Sequence, residues 1–96
     1  KLKNRYNCYL KAIYKYKKCK ISLGNIVPPT KVKIEHEKMV DAIELFIEGA
    51  RGMFNSININ NCSVDKGLMN KGILMHKLGK KRVVTLSDKI SIILIA

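Results

Sequence analysis

A chain of 96 residues holds one domain with a core of two modest layers. Its apolar fraction of 47% excludes a wholly disordered basic tail. Nineteen Lys and Arg against seven Asp and Glu give a formal charge of +12, which calls for a polyanionic partner: nucleic acid first, anionic membrane second, an acidic protein third.

In chain order, residues 3–18 read as an amphipathic helix. Tyr6, Leu10, Ile13 and Tyr16 recur at helical spacing on one face, and Lys3, Arg5, Lys11, Lys15, Lys17 and Lys18 cover the rest. The tyrosines serve either as core or as platforms on which bases stack. Residues 21–29 form a connector, with a turn signal at Gly24-Asn25 and Pro28-Pro29 forbidding helix before them. Thr30 is placed as the N-cap of a second helix reaching about Arg51. Val32, Met39, Val40, Ile43, Phe46, Ile47 and Ala50 lie on its apolar face, and Glu35, Glu37, Lys38, Asp41, Glu44 and Glu48 on its polar one, with His36 between Glu35 and Glu37. Gly49 and Gly52 mark its fraying end.

From Ile57 the period changes to two. Ile57 and Ile59 point one way, Asn60-Asn61 suggest a bulge, Cys62 and Val64 continue, and Asp65-Lys66-Gly67 ends the strand. Residues 90–96 read as a last strand, apolar on both faces and therefore central. The intervening 68–87 segment is too long for a plain loop in a small domain. With both ends tied to strands, it reads as an extended basic β-hairpin, with Val83–Leu86 as its returning arm. The predicted fold is a single α+β domain over 1–96: two helices packed on a small, mainly antiparallel sheet, with a protruding basic β-hairpin.

The charge is segregated. Residues 1–20 carry eight cations and no acid, residues 31–50 three cations and five acids, and residues 66–89 seven cations and one acid. Codon drift explains an abundance of Lys, but not two basic blocks flanking a nearly neutral middle. Sixteen of the nineteen cations are Lys, point charges suited to phosphate, whereas Arg is the usual reader of guanine edges. The composition thus favours backbone and shape recognition over sequence readout. The candidate RNA-binding residues are Lys1, Lys3, Arg5, Lys11, Lys15, Lys17, Lys18 and Lys20 in the first block. In the last block they are Lys66, Lys71, His76, Lys77, Lys80, Lys81, Arg82 and Lys89.

Chemistry of other kinds finds no foothold. Cys8, Cys19 and Cys62 form no CxxC or Cys/His cluster, so they read as reduced, small apolar residues rather than metal ligands. His36 and His76 join no Ser/His/Asp, Cys/His or paired-carboxylate arrangement, and the glycines match no phosphate loop. No catalytic residue, metal, cofactor or small-molecule substrate is expected. No run of about 20 apolar residues exists for a membrane span, and no secretory leader is expected.

The order basic helix, connector, long helix, strand, basic hairpin, strand resembles, over residues 28–96, ribosomal protein twenty-two of the large subunit. The likeness rests on Pro28-Pro29-Thr30 leading into the long helix and on Val64-Asp65-Lys66-Gly67 closing the strand. It rests also on the basic stretch from Met69-Asn70-Lys71 through Lys80-Lys81-Arg82 and on the terminal Lys89–Ile95. The hairpin here has no proline and only Arg82, and the family's strand before its first helix is missing. This resemblance implies a structural ribosomal protein that binds and stabilises large-subunit RNA beside neighbouring ribosomal proteins, its hairpin near the peptide exit tunnel. Together with the Lys, Ile and Asn bias it implies a mitochondrial ribosome, or otherwise a cytoplasmic ribonucleoprotein. A second likeness, to the Alba family of basic nucleic-acid binders, rests on Lys81-Arg82-Val83-Val84 followed by Ile90–Leu94, and implies a dimeric DNA- or RNA-binding module.

Overall fold

Three stretches carry inward-facing residues at alternating spacings of three and four, the repeat of helices that pack along one another. In the first they are Leu2, Tyr6, Tyr9, Ile13, Tyr16, Lys20 and Leu23; in the third, Met69, Gly72, His76, Gly79, Val83, Leu86, Ile90 and Ile93. The computed structural model, which describes residues 1–96, forms helices over all three: α1 Leu2–Gly24, α2 Lys33–Asn55 and α3 Lys66–Ile95. A single 3-10 turn, Thr30–Val32, leads into α2. A minimal hairpin, β1 Ile57–Asn58 and β2 Ser63–Val64, joins α2 to α3. The strands are antiparallel, with Ile57 opposite Val64 and Asn58 opposite Ser63.

The predicted α+β fold is therefore corrected to a mostly helical one. The 68–87 segment is not a β-hairpin and residues 90–96 are not a strand; both belong to the 30-residue α3. The physical reason lies at its inner positions. Gly72 and Gly79 do not turn the chain but allow helix to meet helix. A Cβ on Gly72 would lie 2.7 Å from the Gly49 carbonyl oxygen and 2.8 Å from the Met53 nitrogen. Gly49 and Gly52 likewise sit within α2 rather than at a fraying end, because α2 continues to Asn55. Asn60-Asn61 is the tip of the short hairpin rather than a bulge. The Asn58 side chain accepts from both their backbone N–H groups, at 3.0 and 3.4 Å, and Cys62 takes the left-handed conformation (φ 54°) that closes the turn.

The ends of the helices are set by local chemistry. Asp65 caps α3 by accepting from the Leu68 N–H at 3.1 Å. Thr30, expected as an N-cap, makes no side-chain cap bond and instead opens the 3-10 turn. α1 runs on through Ile21–Gly24, where a connector was expected. His36, between Glu35 and Glu37 of the polar face, is half-buried, and its Nε2 lies 3.0 Å from the Leu23 carbonyl near the C-terminus of α1.

Contacts fix the directions. Tyr6 stacks on Phe54 and Tyr16 on Phe46, so α1 and α2 are antiparallel. Gly49 meets Gly72 while Gly79 meets Ala42 and Leu45, so α2 and α3 are antiparallel. Tyr9 reaches Met69 and Tyr16 reaches His76, each across 60 residues, so α1 and α3 run parallel and in register. α2 is the central helix and carries most of the buried residues, including Met39, Ala42, Ile43, Ile47, Ala50 and Met53. The bundle is elongated, 55 × 22 × 16 Å.

Candidate nucleic-acid interface

The first question is which cations share a surface. At about 100° per residue, side chains three and four apart along a helix lie on one side. On α1, the side next to Tyr9 and Tyr16 carries Arg5, Cys8, Ala12, Lys15 and Cys19. On α3, the side next to Met69 and His76 carries Lys66, Ile73, Lys77 and Lys80. Because α1 and α3 are parallel and in register, these two rows flank one cleft. Its floor is the Tyr16 hydroxyl, 2.9 Å from His76 Nε2, with the Tyr9 hydroxyl 3.9 Å from the Met69 sulfur. On the α1 side, a depression of about 280 Å³ is lined by α1 residues alone: Cys8, Lys11, Ala12, Lys15 and Tyr16. Arg5, Lys11, Lys15, Lys66, Lys77 and Lys80 are all exposed.

This cleft holds no acid. α1 has none, and the part of α3 that runs beside it, 66–84, has none. The acids lie mainly on α2. Three of them take up cations: Glu44 binds Lys20 at 2.7 Å, Glu48 binds Arg51, and Glu35 lies 3.6 Å from Lys89. The hydrogen bond from Lys20 holds the Glu44 carboxyl below its usual range against a smaller opposing effect of burial. The other cations of the chain have no acidic partner, so the repulsion among them is relieved only by solvent, counterions or a ligand.

The sixteen sequence candidates thus divide. Arg5 and Lys15 of α1 and Lys66, Lys77 and Lys80 of α3 border the cleft from its two sides, with Lys11 next to Lys15 on the outer edge of α1 and Lys1 at the α1 end. Lys20 and Lys89 are engaged with acids of α2. Lys3, Lys17 and Lys18 lie on the far side of α1, where the Lys18 ammonium sits 5.1 Å from the Tyr14 ring. Lys71, Lys81 and Arg82 turn to the opposite side of α3, into a groove shared with Lys38, Asp41 and Glu48 of α2. Lys80, Lys81 and Arg82 look like one cluster in sequence; on a helix they are dispersed around it. His76 is half-buried and takes part in the packing, edge-on to Phe46 at 4.7 Å. Of the tyrosines, Tyr6, Tyr9 and Tyr16 pack inward, and only Tyr14 is exposed. The stripe expected through Leu10 passes instead through Tyr9; Leu10 faces solvent. The three cysteines are free thiols on the surface rather than core residues.

His76 supplies a test of this packing. Burial, then the charge of Lys80, lowers its pKa below the ordinary 6.5. With the imidazole neutral, His76 Nε2 and the Tyr16 hydroxyl share a hydrogen bond whose donor is set by the tautomer. Below pH 6.5 the unfolded chain takes up a proton that the folded chain resists. The contribution to stability is therefore complete above about pH 6.5 and is lost as pH falls from there towards the lowered value. The melting temperature, followed by circular dichroism, is expected to drop more between pH 7 and pH 5 in the parent than in His76→Gln. Equal drops would remove His76 from the packing argument.

No family model matches the chain, and no curated protein or solved structure matches it either. No helix is long and apolar enough to cross a membrane.

Proposed function

We propose that this chain is a non-catalytic RNA-binding protein that grips structured RNA through the α1/α3 cleft, in the setting of a ribonucleoprotein particle such as the large ribosomal subunit. The observation that carries the reading is the acid-free double row of cations on two parallel helices. Each lysine that meets a phosphate releases a condensed counterion, and that release drives association. The predominance of Lys over Arg assigns the recognition to phosphate and shape, not to base edges. A tunnel-lining hairpin has no part in the proposal, because the 68–87 segment is helical.

The test is a titration of a fluorescent RNA stem-loop with the purified chain at several salt concentrations. The logarithm of affinity should fall linearly with the logarithm of salt. Four to six phosphate contacts would reduce affinity by roughly a hundred- to a thousandfold between 50 and 200 mM. Binding that is absent at 50 mM, or indifferent to salt, would remove the proposal.

A second reading, binding to an anionic lipid surface, has one observation in its favour. Ile21, Ile26, Val27, Ile34, Ile92 and Ile95 are all exposed at one end of the bundle. Co-sedimentation with anionic vesicles, in the absence of RNA binding, would favour that reading instead.

A further inference from the structure

The surface of α2 and α3 turned away from α1 has a different character from the cleft. A groove of about 560 Å³ runs between the two helices, lined by Lys38, Asp41, Leu78, Lys81, Arg82 and Leu86 among others. Farther along the same two helices, Glu48, Arg51, Leu68, Lys71 and Met75 line a second depression. Both lie on one side of α3, because residues 68, 71, 75, 78, 82 and 86 follow one another at three- and four-residue spacing. From Leu68 to Leu86 the helix rises about 27 Å. Aliphatic side chains run along this side: Leu68 and Leu78 are each 42% exposed, and Met75 and Leu86 are half-buried. Cations outnumber acids beside them. Lys38, Arg51, Lys71, Lys81 and Arg82 stand against Asp41 and Glu48, and Glu48 is already taken up by Arg51. Lys38, Lys71, Lys81 and Arg82 are exposed and form no ion pair within the chain.

We infer that this groove takes an acidic, amphipathic helix of a partner protein. Two properties select that occupant together. The aliphatic row leaves water only against another apolar stripe of matching spacing, and a helix laid between two others supplies one. The cations beside the row call for carboxylates. Glu or Asp bordering the partner's stripe meets Lys38 on the α2 bank and Lys71, Lys81 and Arg82 on the α3 bank. A partner helix of about 18 residues matches the length from Leu68 to Leu86. RNA fits this surface less well, since a phosphodiester backbone gains nothing from exposed leucines. The α1/α3 cleft makes the contrast: the rows that border it hold one large aliphatic residue, Ile73, and it is half-buried. A second copy of this chain fits no better. α1 has no acid, Asp88 is the only acid of α3, and α2 has its apolar face buried in its own bundle. Cleft and groove lie on different sides of α3, so RNA and the acidic helix are held at the same time and neither site depends on the other.

The test uses the full chain, nuclease-treated and reduced, with fluorescent synthetic peptides of about 18 residues. One peptide carries Leu at three- and four-residue spacing with Glu on both flanks. A second has the same composition in scrambled order, and a third keeps the Leu stripe but replaces Glu by Lys. Anisotropy titrations at about 0.15 M salt should show the first peptide binding at micromolar concentration, and the other two weaker by about tenfold or more. Lys81→Glu combined with Arg82→Glu should weaken the first peptide by about tenfold or more, and so should the neutral change Leu78→Ser. All three positions are exposed, so the helical circular dichroism should persist. Lys15→Glu combined with Lys77→Glu alters the net charge equally but sits at the cleft, and should change peptide binding by less than about threefold. The inference is overturned if the scrambled peptide binds as well as the first, or if the cleft pair costs as much as the groove pair. It is overturned equally if an RNA stem-loop displaces the peptide, which would make the groove an RNA surface. A parent that leaves the first peptide unbound, whether its groove stays open or is covered by a second copy, also overturns it.

Discussion

Gly72→Ala is expected to lower the melting temperature, by up to about 15 °C, although alanine is the better helix former by about 1 kcal/mol. The added methyl group meets backbone on two sides: the Gly49 carbonyl oxygen at 2.7 Å and the Met53 nitrogen at 2.8 Å. Backbone cannot rotate away as a side chain can, so α2 and α3 must part along their crossing. Overpacking of this kind costs about 1–3 kcal/mol. The cost falls on a bundle in which only 13 of 96 residues are buried, so few contacts remain to absorb it. Gly24→Ala is the control, since nothing lies within 4 Å of a Cβ there; it should leave the melt unchanged or raise it slightly through helix propensity. A Gly72→Ala chain melting at or above the parent would mean that α2 and α3 do not cross at these glycines.

The second large effect concerns binding. Reversing Lys15, Lys77 and Lys80 to Glu should weaken association with an RNA stem-loop by a hundredfold or more at low salt. It should also reduce the salt slope by about two to three. These three are exposed, make no ion pair and flank one cleft from both helices. Their replacement removes phosphate contacts and adds repulsion without touching the packed face, so the helical circular dichroism should persist. Reversing Lys31 and Lys33 offers the comparison. Both are exposed near the start of α2, at the end of the bundle where α1 terminates. Charges farther than about 10 Å from the bound phosphates are largely screened, so this pair should cost less than about fivefold. Equal losses per charge from both sets would mean that net charge alone, not the cleft, governs binding.

Why the first two helices were legible and the third was not follows from particular residues. Residues 3–18 and Thr30–Arg51 carry bulky apolar side chains at helical spacing, and both form helices that overrun the predicted ends. α3 has the same repeat at Met69, Gly72, His76, Gly79, Val83, Leu86, Ile90 and Ile93. Two of its inner positions are glycine and one is histidine, so the apolar stripe breaks where α3 comes closest to α2. Read locally, glycine signals a turn, Val83-Val84-Thr85 favours a strand, and Ile90–Ile95 is apolar on every side. Only the packing against Gly49 and Ala42 turns those glycines into helix contacts. The hairpin and last strand behind both family likenesses are helical here, and the strand before them is a short hairpin that keeps only the four paired residues of β1 and β2.

The site was half legible. The composition gave the excess of cations and its division into two blocks. It could not give which cations share a surface, because that depends on the period assigned to residues 66–95. Read as a hairpin, Lys80, Lys81 and Arg82 form one patch; as helix, Lys80 faces α1 while Lys81 and Arg82 face the acids of α2. The pairing of Lys20 with Glu44 and of Lys89 with Glu35 is likewise tertiary, since neither pair lies within one helix.

The central claim is that RNA lies along the α1/α3 cleft. It is tested most directly by chemical crosslinking of the bound chain to RNA, with the modified lysines located by mass spectrometry. Crosslinks concentrated at Lys11, Lys15, Lys66, Lys77 and Lys80, and sparse at Lys38, Lys71 and Lys81, are the predicted result. Crosslinks concentrated at Lys38, Lys71 and Lys81, or spread evenly over all exposed lysines, would contradict it.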